Sequence, residues 1–284
     1  MDGDIETKGE RIAKRLSRAG LCSRREAERW IADGRVTVDG AVIDTPATLV
    51  TDETQITVDG KKIGEPEQTR LWRYHKPAGV ICTTSDPEGR PTVFDRLPAS
   101  LPRTLLIGRL DFASEGLLLL TNDGETARKL ELPETGWLRR YRVRVHGRPD
   151  EEQLAALEDG VTIDGIAYGS IRAKLDNQSA SNAWVTVGLR EGKNREVRRV
   201  MEHLGLTVNR LIRLGFGPFL LGNLPSNAVR EVSAKVVAEQ LSGEKLKGTT
   251  PQRASKRDMK RPKKRLLAKK PATKAMKNRA DRRR

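Results

Sequence analysis

The chain has 284 residues, a formal net charge of +16 and a pI near 10.1, and this length corresponds to one or two folded domains. No apolar run approaches the roughly 18 residues of a membrane span, and the acidic N-terminus lacks the apolar core of a signal peptide. Two cysteines and three scattered histidines provide neither a disulfide framework nor metal-ligand spacing. We therefore expect a cytoplasmic protein without a metal.

The first part of the chain predicts a small unit of helices and hairpins. Residues 10–20 place apolar side chains at helical spacing and end on a glycine. The Ser-x-x-Glu pattern at 23–26 is typical of a capping box and predicts a second helix through residue 31. Alternating valines and Asp-Gly turns at 39–40 and 59–60 then predict short antiparallel strands.

This order of helices and hairpins resembles the S4 RNA-binding module, and its central pattern matches GLCSRREAERWIADGRVTVDG at 20–40. The resemblance implies an S4-like domain over 8–66. In the module, basic residues on one face contact structured RNA; here they correspond to Lys14, Arg15, Ser23, Arg24 and Arg25. Arginines in the first turn of a helix are disfavoured by the helix dipole unless a phosphate lies nearby, which also favours RNA contact. Because proteins of several activities contain this module, it indicates a class of ligand only.

The middle of the chain lacks the common cofactor motifs. The phosphate-binding GxxxxGK[ST], the dinucleotide-binding GxGxxG and the nucleophile elbow GxSxG are all absent from the sequence. The Asn-Asp-Gly at 122–124 does not complete a calcium loop. We therefore expect no cofactor.

Strands predominate over helices in this region, without regular alternation of the two. Strands are predicted at 71–74, 80–83, 105–110, 117–121 and 140–146, and helices at 124–131, 150–158 and 195–204. The pattern predicts an α+β fold on a mixed, mostly antiparallel sheet. In the strand at 140–146 the apolar face alternates with a basic face formed by Arg140, Arg142, Arg144 and His146.

Three residues are candidates for chemistry, although each has an ordinary structural interpretation. Asp111 follows an apolar strand and opens a loop, where aspartate is most often a turn residue. Tyr141 lies on the apolar face of its strand, which is typical of a core position. Arg198 lies at the boundary between the buried and exposed faces of helix 195–204, where arginine usually extends to solvent. These positions alone leave a catalytic role open.

Five segments in the order of the chain resemble the motifs of the RsuA-type family of rRNA pseudouridine synthases. They are HKPAGVI (75–81), GRLDFASEGLLLLTNDG (108–124), RRYRVRV (139–145), EGKNREVRRV (191–200) and RLGFGPFLLGNL (213–224). The resemblance spans about residues 10–240 and implies a catalytic domain over 70–243. It also implies an enzyme that breaks the N1–C1′ bond of a uridine, rotates the uracil and rejoins it through C5, without a cofactor.

The resemblance assigns roles to the three candidates. Asp111 corresponds to the family's catalytic aspartate, acting as a nucleophile on the sugar or the base. Tyr141 corresponds to the tyrosine that stacks on the flipped uracil, and Arg198 to the basic partner of the aspartate. An apolar residue that packs against the base is implied within 211–214, where the alternatives are Leu211, Ile212 and Leu214. Arg109, Lys193 and Arg195 are further RNA-binding candidates.

Two positions depart from the family's pattern. Ser114 stands where threonine is usual, and Val200 stands where methionine is more common. Each keeps the character of the usual side chain, a hydroxyl in the first case and an apolar group in the second. We therefore expect an active enzyme.

Most of the positive charge lies at the C-terminus. Residues 251–284 contain sixteen Lys and Arg and two Asp, which accounts for +14 of the +16. So few apolar residues predict a disordered basic tail, over 244–284, that neutralises RNA phosphates. The basic C-terminal extension of this chain resembles the extension found in those members of the family that act on the large ribosomal subunit. This implies 23S rRNA, or a large-subunit assembly intermediate, as the partner of a monomeric enzyme.

The principal alternative is a non-catalytic RNA-binding assembly factor that uses the S4-like module and the tail. Asp111 separates the two hypotheses, because a carboxylate in a cleft that only binds RNA repels phosphate. A fragment of an S4-bearing tRNA synthetase is disfavoured by the absence of a nucleotide-binding signature.

Overall fold

A computed structural model describes residues 9–65 and 67–241. The predicted basic tail at 244–284 lies outside these residues. No helix in the described part of the chain has both the length and the apolar character needed to cross a bilayer.

The N-terminal unit is built as the sequence predicts, from two helices and two small sheets. Its elements are α1 (Ile12–Arg18), α2 (Arg24–Ala32), β1 (Glu10–Arg11), β2 (Val36–Val38), β3 (Ala41–Val42), β4 (Leu49–Val50), β5 (Ile56–Val58) and β6 (Lys61–Lys62). Strand β1 pairs with β4, and the four-stranded sheet has the order β3-β2-β5-β6. The capping box is confirmed, because the Ser23 hydroxyl accepts the backbone N–H of Glu26 at 3.1 Å.

A nine-stranded sheet dominates the remainder of the described chain. Its strands are β7 (Leu71–Lys76), β8 (Leu105–Ile107), β9 (Ser114–Thr121), β10 (Arg139–His146), β13 (Ile171–Gln178), β14 (Asn182–Leu189), β15 (Thr207–Phe216), β16 (Phe219–Leu220) and β17 (Val229–Glu231). Strands β11 (Val161–Ile163) and β12 (Ile166–Tyr168) form a separate hairpin. The order is β13-β14-β10-β15-β9-β7-β17, with β16 beside β15 and β8 beside β9. Strands β9 and β15 are parallel and the other pairs of this sheet are antiparallel, so the predicted mixed sheet is confirmed.

Helices cover parts of both faces of this sheet. They are α3 (Gly124–Glu131), α4 (Glu151–Ala156), α5 (Glu196–His203) and α6 (Ala234–Leu241), with short 3₁₀ helices at Phe94–Arg96, Pro133–Thr135 and Leu157–Asp159. The four leucines of β9 explain this arrangement. Leu118 and Leu120 lie in the core that includes residues of α4 and α5, whereas Leu117 and Leu119 lie in the core that includes residues of α3 and α6. A strand buried on both faces needs a continuous apolar run rather than an alternating one.

Two strand predictions require correction. Residues 80–83 form a loop with one isolated bridge, between Ile81 and Thr92, instead of a strand. The preceding Gly79 adopts a φ of 76° and donates its N–H to the carbonyl of Phe112 at 2.8 Å, which turns the chain away from the sheet. The predicted strand 105–110 ends at Ile107, because Gly108 has a φ of 69°. Strands β11–β17 and helix α6 were not anticipated, apart from the segments that matched family motifs.

Candidate active site

Asp111 lies in the short loop that joins β8 to β9. The loop is positioned by the parallel pairing of β9 with β15, which requires a close approach at Gly116. This glycine has a φ of 105°, and a Cβ there would lie 2.3 Å from the carbonyl oxygen of Arg213. Only glycine combines this backbone conformation with the absence of a side chain. Gly116 therefore allows the Asp111 loop to lie against β15.

A buried lysine binds the loop from the side of β7. Lys76 is fully buried, and its ammonium donates to the carbonyl oxygens of Ser114 at 2.7 Å, Pro77 at 3.0 Å and Asp111 at 3.1 Å. Burial lowers the pKa of Lys76 to about 8. Hydrogen bonds from a charged donor are among the stronger ones in proteins. Lys76 thus holds the loop backbone at both ends of the turn that presents Asp111.

Two arginines of the segment that opens α5 approach the Asp111 carboxylate. Its Oδ2 lies 3.9 Å from Nη1 of Arg195 and 4.0 Å from Nε of Arg198. Arg198 is buried and also donates through Nη2 to the carbonyl of Ala113 at 3.3 Å, so it contacts both the loop backbone and the carboxylate. Burial lowers the pKa of Arg198, but a guanidinium remains protonated in proteins. The predicted pairing of Arg198 with Asp111 is therefore present in the geometry, and Arg195 adds a second cation.

Asp111 and Arg195 border a cavity of about 540 Å³, and Arg198 lies beside it through its contact with Asp111. Asp111, Tyr141 and Leu211 all line it. Of the three apolar alternatives, Ile212 and Leu214 instead pack against the core on the opposite face of the sheet. The period of two along β15 thus selects Leu211 as the apolar residue facing the cavity.

Two buried donors in the cavity wall have no hydrogen-bond partner among the described residues. They are the hydroxyl of Ser114 and Nη2 of Arg213, whose residues are 1% and 3% exposed. The Nε of the same Arg213 side chain does have a partner, since it donates to the carbonyl of Leu117 at 2.7 Å. A buried donor without a partner costs about 1–3 kcal/mol, so both groups are unfavourable for the stability of the free protein.

A pair of carboxyl groups supports the loop that leads into α5. Burial raises the pKa of Glu196 to about 7, and its carboxylate accepts the backbone N–H of Lys193 at 2.9 Å. Burial also favours the neutral form of Glu191, but the Lys193 ammonium at 2.8 Å and the N–H of Gly169 hold the pKa of this carboxyl below its usual value. Lys193, predicted to bind RNA, is thus already paired with a carboxylate.

The remaining predicted RNA-binding residues differ in their availability. Arg24 and Arg25 of α2 are exposed, and Arg109 is exposed at the cavity. Lys14 is paired with Glu10 and with Glu125 of α3.

Arg15 and Ser23 are occupied within the N-terminal unit. Arg15 is buried and paired with Asp52 at 2.5 Å, and the Ser23 hydroxyl caps α2. Among the candidates in the N-terminal unit, the exposed arginines of α2 are therefore the best placed to contact RNA. Their role in RNA binding stays a prediction.

Sequence reasoning missed Lys76, Glu196 and Arg213. Lys76 stands at the end of a strand in the motif His-Lys-Pro-Ala-Gly, where a lysine followed by a proline-glycine turn would usually be exposed. Its burial beside the Asp111 loop depends on residues 35 to 38 positions away along the chain. No local signal distinguishes it from a surface lysine.

Comparison with known proteins identifies the family of the chain. The family described as RNA pseudouridylate synthase matches residues 70–203, and the S4 domain matches residues 10–56. An uncharacterized RNA pseudouridine synthase of Rickettsia felis is 48% identical over 80% of this chain and 99% of its own length. Ribosomal large subunit pseudouridine synthase B of Pseudomonas aeruginosa is 43% identical over 81% of this chain and 61% of its own length.

A solved structure shares the fold. It is described as a crystal structure of pseudouridylate synthase, is 24% identical, and superposes with a TM-score of 0.56 over 80% of this chain and 98% of its own. The identity to the Rickettsia relative over nearly its whole length, together with the family match, decides the assignment. The chain belongs to the RNA pseudouridine synthases, which are isomerases.

Proposed function

We propose that this enzyme converts a specific uridine of large-subunit ribosomal RNA into pseudouridine, with Asp111 as the nucleophile. The observation that supports this most strongly is the Asp111 carboxylate at the cavity, 3.9–4.0 Å from two guanidinium groups. An acid placed in this way is accessible, since its side chain is 34% exposed, yet its loop is held by buried cations. A protein that only binds RNA has no need of such a carboxylate.

The cavity supplies the other requirements of the reaction. A target uridine in folded RNA must leave its stack, which costs a few kcal/mol. The Tyr141 ring offers a surface on which the flipped uracil stacks, and Leu211 packs against the base from β15.

The two arginines position the nucleophile and balance its charge. Arg198 fixes the loop through Ala113 and attracts the carboxylate through Nε, which has no hydrogen-bond partner in the described structure. Attack by the carboxylate on C1′ forms an ester and breaks the N1–C1′ bond, whose electrons stay with the uracil. After the uracil rotates, C5 attacks C1′ and displaces the carboxylate; the proton lost from C5 is balanced by a proton gained at N1. This step leaves the enzyme unchanged after each turnover.

The role of Asp111 is tested by Asp111→Asn, assayed by tritium release from RNA containing [5-³H]uridine. We expect no detectable product, with RNA affinity within about threefold of the wild type because the fold is kept. Asp164→Asn is the matched control, since Asp164 is exposed in a turn with a φ of 50° that asparagine adopts readily. A wild-type rate in Asp111→Asn would remove the proposed nucleophile.

The choice of large-subunit RNA rests on the similarity to large-subunit synthase B of Pseudomonas aeruginosa and on the basic C-terminal sequence. Either 23S rRNA or an assembly intermediate fits, and a ribosomal substrate would place the enzyme, as a monomer, in the cytoplasm. Pseudouridine mapping of rRNA from cells lacking the protein tests this. Loss of one large-subunit pseudouridine, restored by the wild type and not by Asp111→Asn, is expected. Loss of a small-subunit site would contradict the choice of subunit.

A further inference from the structure

The sheet has a basic surface on the face opposite the cavity. Along β10, Tyr141 points toward the core and the cavity, whereas Arg140, Arg142, Arg144 and His146 point the other way. Arg140 and Arg144 are exposed, and neither forms an ion pair within the described part of the chain. Side chains two residues apart on a strand are roughly 6.8 Å apart, so the arginines form a row of positive charge.

The neighbouring strands add cations to this row and neutralise only part of it. Lys174 of β13 is exposed on the same face, and Arg210 of β15 lies directly opposite Arg144 in the β10–β15 register. Like charges directly opposite each other destabilise a sheet. Glu115 pairs with Arg210 at 2.7 Å, and Asp176 of β13 pairs with Arg142 at 3.3 Å. Arg140, Arg144 and Lys174 have no ion-pair partner among the residues that the structure describes. Arg140, Arg144 and Lys174 therefore leave an excess of positive charge on this face of the described structure.

An aromatic side chain lies among these cations. Trp184 of β14 is directly opposite Arg144 in the β10–β14 register, and the guanidinium of Arg142 lies 4.7 Å from its ring centroid. The ring remains partly exposed. A partly exposed tryptophan bordered by arginines offers both stacking for a base and charge for phosphates, the combination used by proteins that bind single-stranded nucleic acids.

We propose that this surface, formed by Arg140, Arg142, Arg144, Lys174 and Trp184 and here called the basic sheet face, is a second RNA-binding site. It binds the sugar-phosphate backbone of substrate RNA outside the segment that enters the cavity. None of its residues lines the cavity, so it contributes to affinity and not to the chemical step. The proposal rests on the proposed function in that the RNA is a ribosomal RNA fragment containing the target uridine. The charge complementarity and the aromatic ring favour RNA over an acidic protein.

The experiment compares two triple variants of the full chain. Arg140→Gln/Arg142→Gln/Arg144→Gln removes the row, and Arg96→Gln/Arg230→Gln/Lys235→Gln removes three exposed cations from other parts of the surface. Binding to a large-subunit rRNA fragment is measured between 50 and 300 mM salt. We expect the slope of log affinity against log salt to decrease in magnitude by about 2–3 in the first variant, as expected for three lost phosphate contacts, and by less than about 1 in the control.

Two further measurements separate this site from the catalytic one. The rate of pseudouridine formation at saturating RNA should equal that of the wild type in both triple variants. Trp184→Leu should weaken RNA binding about tenfold without changing this rate, as expected for one lost stacking contact. A wild type that binds the fragment but makes no pseudouridine would contradict the proposed function and leave the binding test valid.

Two outcomes would overturn the proposal. Equal salt slopes in the two triple variants would show that the row makes no phosphate contacts. Unchanged binding of protein-free RNA, combined with lost activity on ribosomal particles, would assign the face to an acidic protein partner instead.

Discussion

Replacing Lys76 with methionine separates the stability of the fold from the positioning of the nucleophile. Methionine keeps the length of the buried side chain and removes the ammonium that donates to three backbone carbonyls within 3.1 Å. The carbonyl of Asp111 retains a second donor, the N–H of Ser114 at 3.0 Å. The carbonyls of Pro77 and Ser114 lose a charged donor.

Two opposing terms set the expected change in the free energy of unfolding. A hydrogen bond to a charged donor contributes about 1.5–3 kcal/mol, so the loss at two carbonyls amounts to about 3–6 kcal/mol. Removing a buried charge recovers about 3 kcal/mol, the free energy that corresponds to the lowering of the Lys76 pKa from 10.5 to about 8. The net destabilisation is therefore about 0–3 kcal/mol, and the protein should remain folded.

The effect on catalysis should be much larger. Without the ammonium the loop that presents Asp111 is free to shift, and a displacement of about 1 Å reduces rates by about 100-fold. Single-turnover tritium release should therefore show a rate about 100-fold lower in Lys76→Met, with thermal unfolding recorded alongside. Lys129→Met is the control, because Lys129 also donates to a backbone carbonyl, that of Leu241, but is exposed. A single-turnover rate within threefold of the wild type in Lys76→Met would refute the assigned role.

The pH dependence provides a second test of the same lysine. Since the pKa of Lys76 is about 8 in the folded protein and 10.5 in its unperturbed state, raising the pH above about 8 removes a proton from the folded protein first. The contribution of Lys76 to stability therefore rises between about pH 8 and 10.5, while the loop loses a charged donor and the rate falls. In Lys76→Met this decrease in rate should be absent.

Two other predictions concern the residues around the loop. Gly116→Ala should lower the free energy of unfolding by at least about 3 kcal/mol, because its Cβ would lie 2.3 Å from the Arg213 carbonyl oxygen. The control is Gly205→Ala, whose Cβ would meet nothing within 4 Å and which should cost about 1 kcal/mol. Equal melting temperatures of the two variants would contradict the clash. For Glu196, whose pKa is raised from 4.5 to about 7 by burial, the free energy of unfolding should fall as the pH rises through this interval, by roughly 3 kcal/mol at most. Urea denaturation at pH 5 and pH 8 should show this decrease in the wild type and in the exposed control Glu152→Gln, but not in Glu196→Gln; its persistence there would contradict the assignment.

The sequence alone was sufficient for the local elements and for the family. The capping box at Ser23, the Asp-Gly hairpin turns and the alternation along 140–146 depend on residues within a few positions of one another, and the structure confirms them. The four leucines of β9 could be recognised as a strand for the same reason. The resemblance also pointed to Asp111, Tyr141 and Arg198, and the structure places these three residues in or beside one cavity.

Tertiary structure decided everything that depends on contacts between distant segments. Val80 has the apolar character of a strand residue, yet its segment became a loop because Gly79 bonds to Phe112, more than thirty residues away. Leu211 could not be chosen over its neighbours until the register of β15 fixed which side chains face the cavity. Periodicity and turn chemistry act between neighbours along the chain and can be deduced from order alone. The burial of Lys76 depends instead on which strands pair in the sheet, a choice made by the packing of the whole domain.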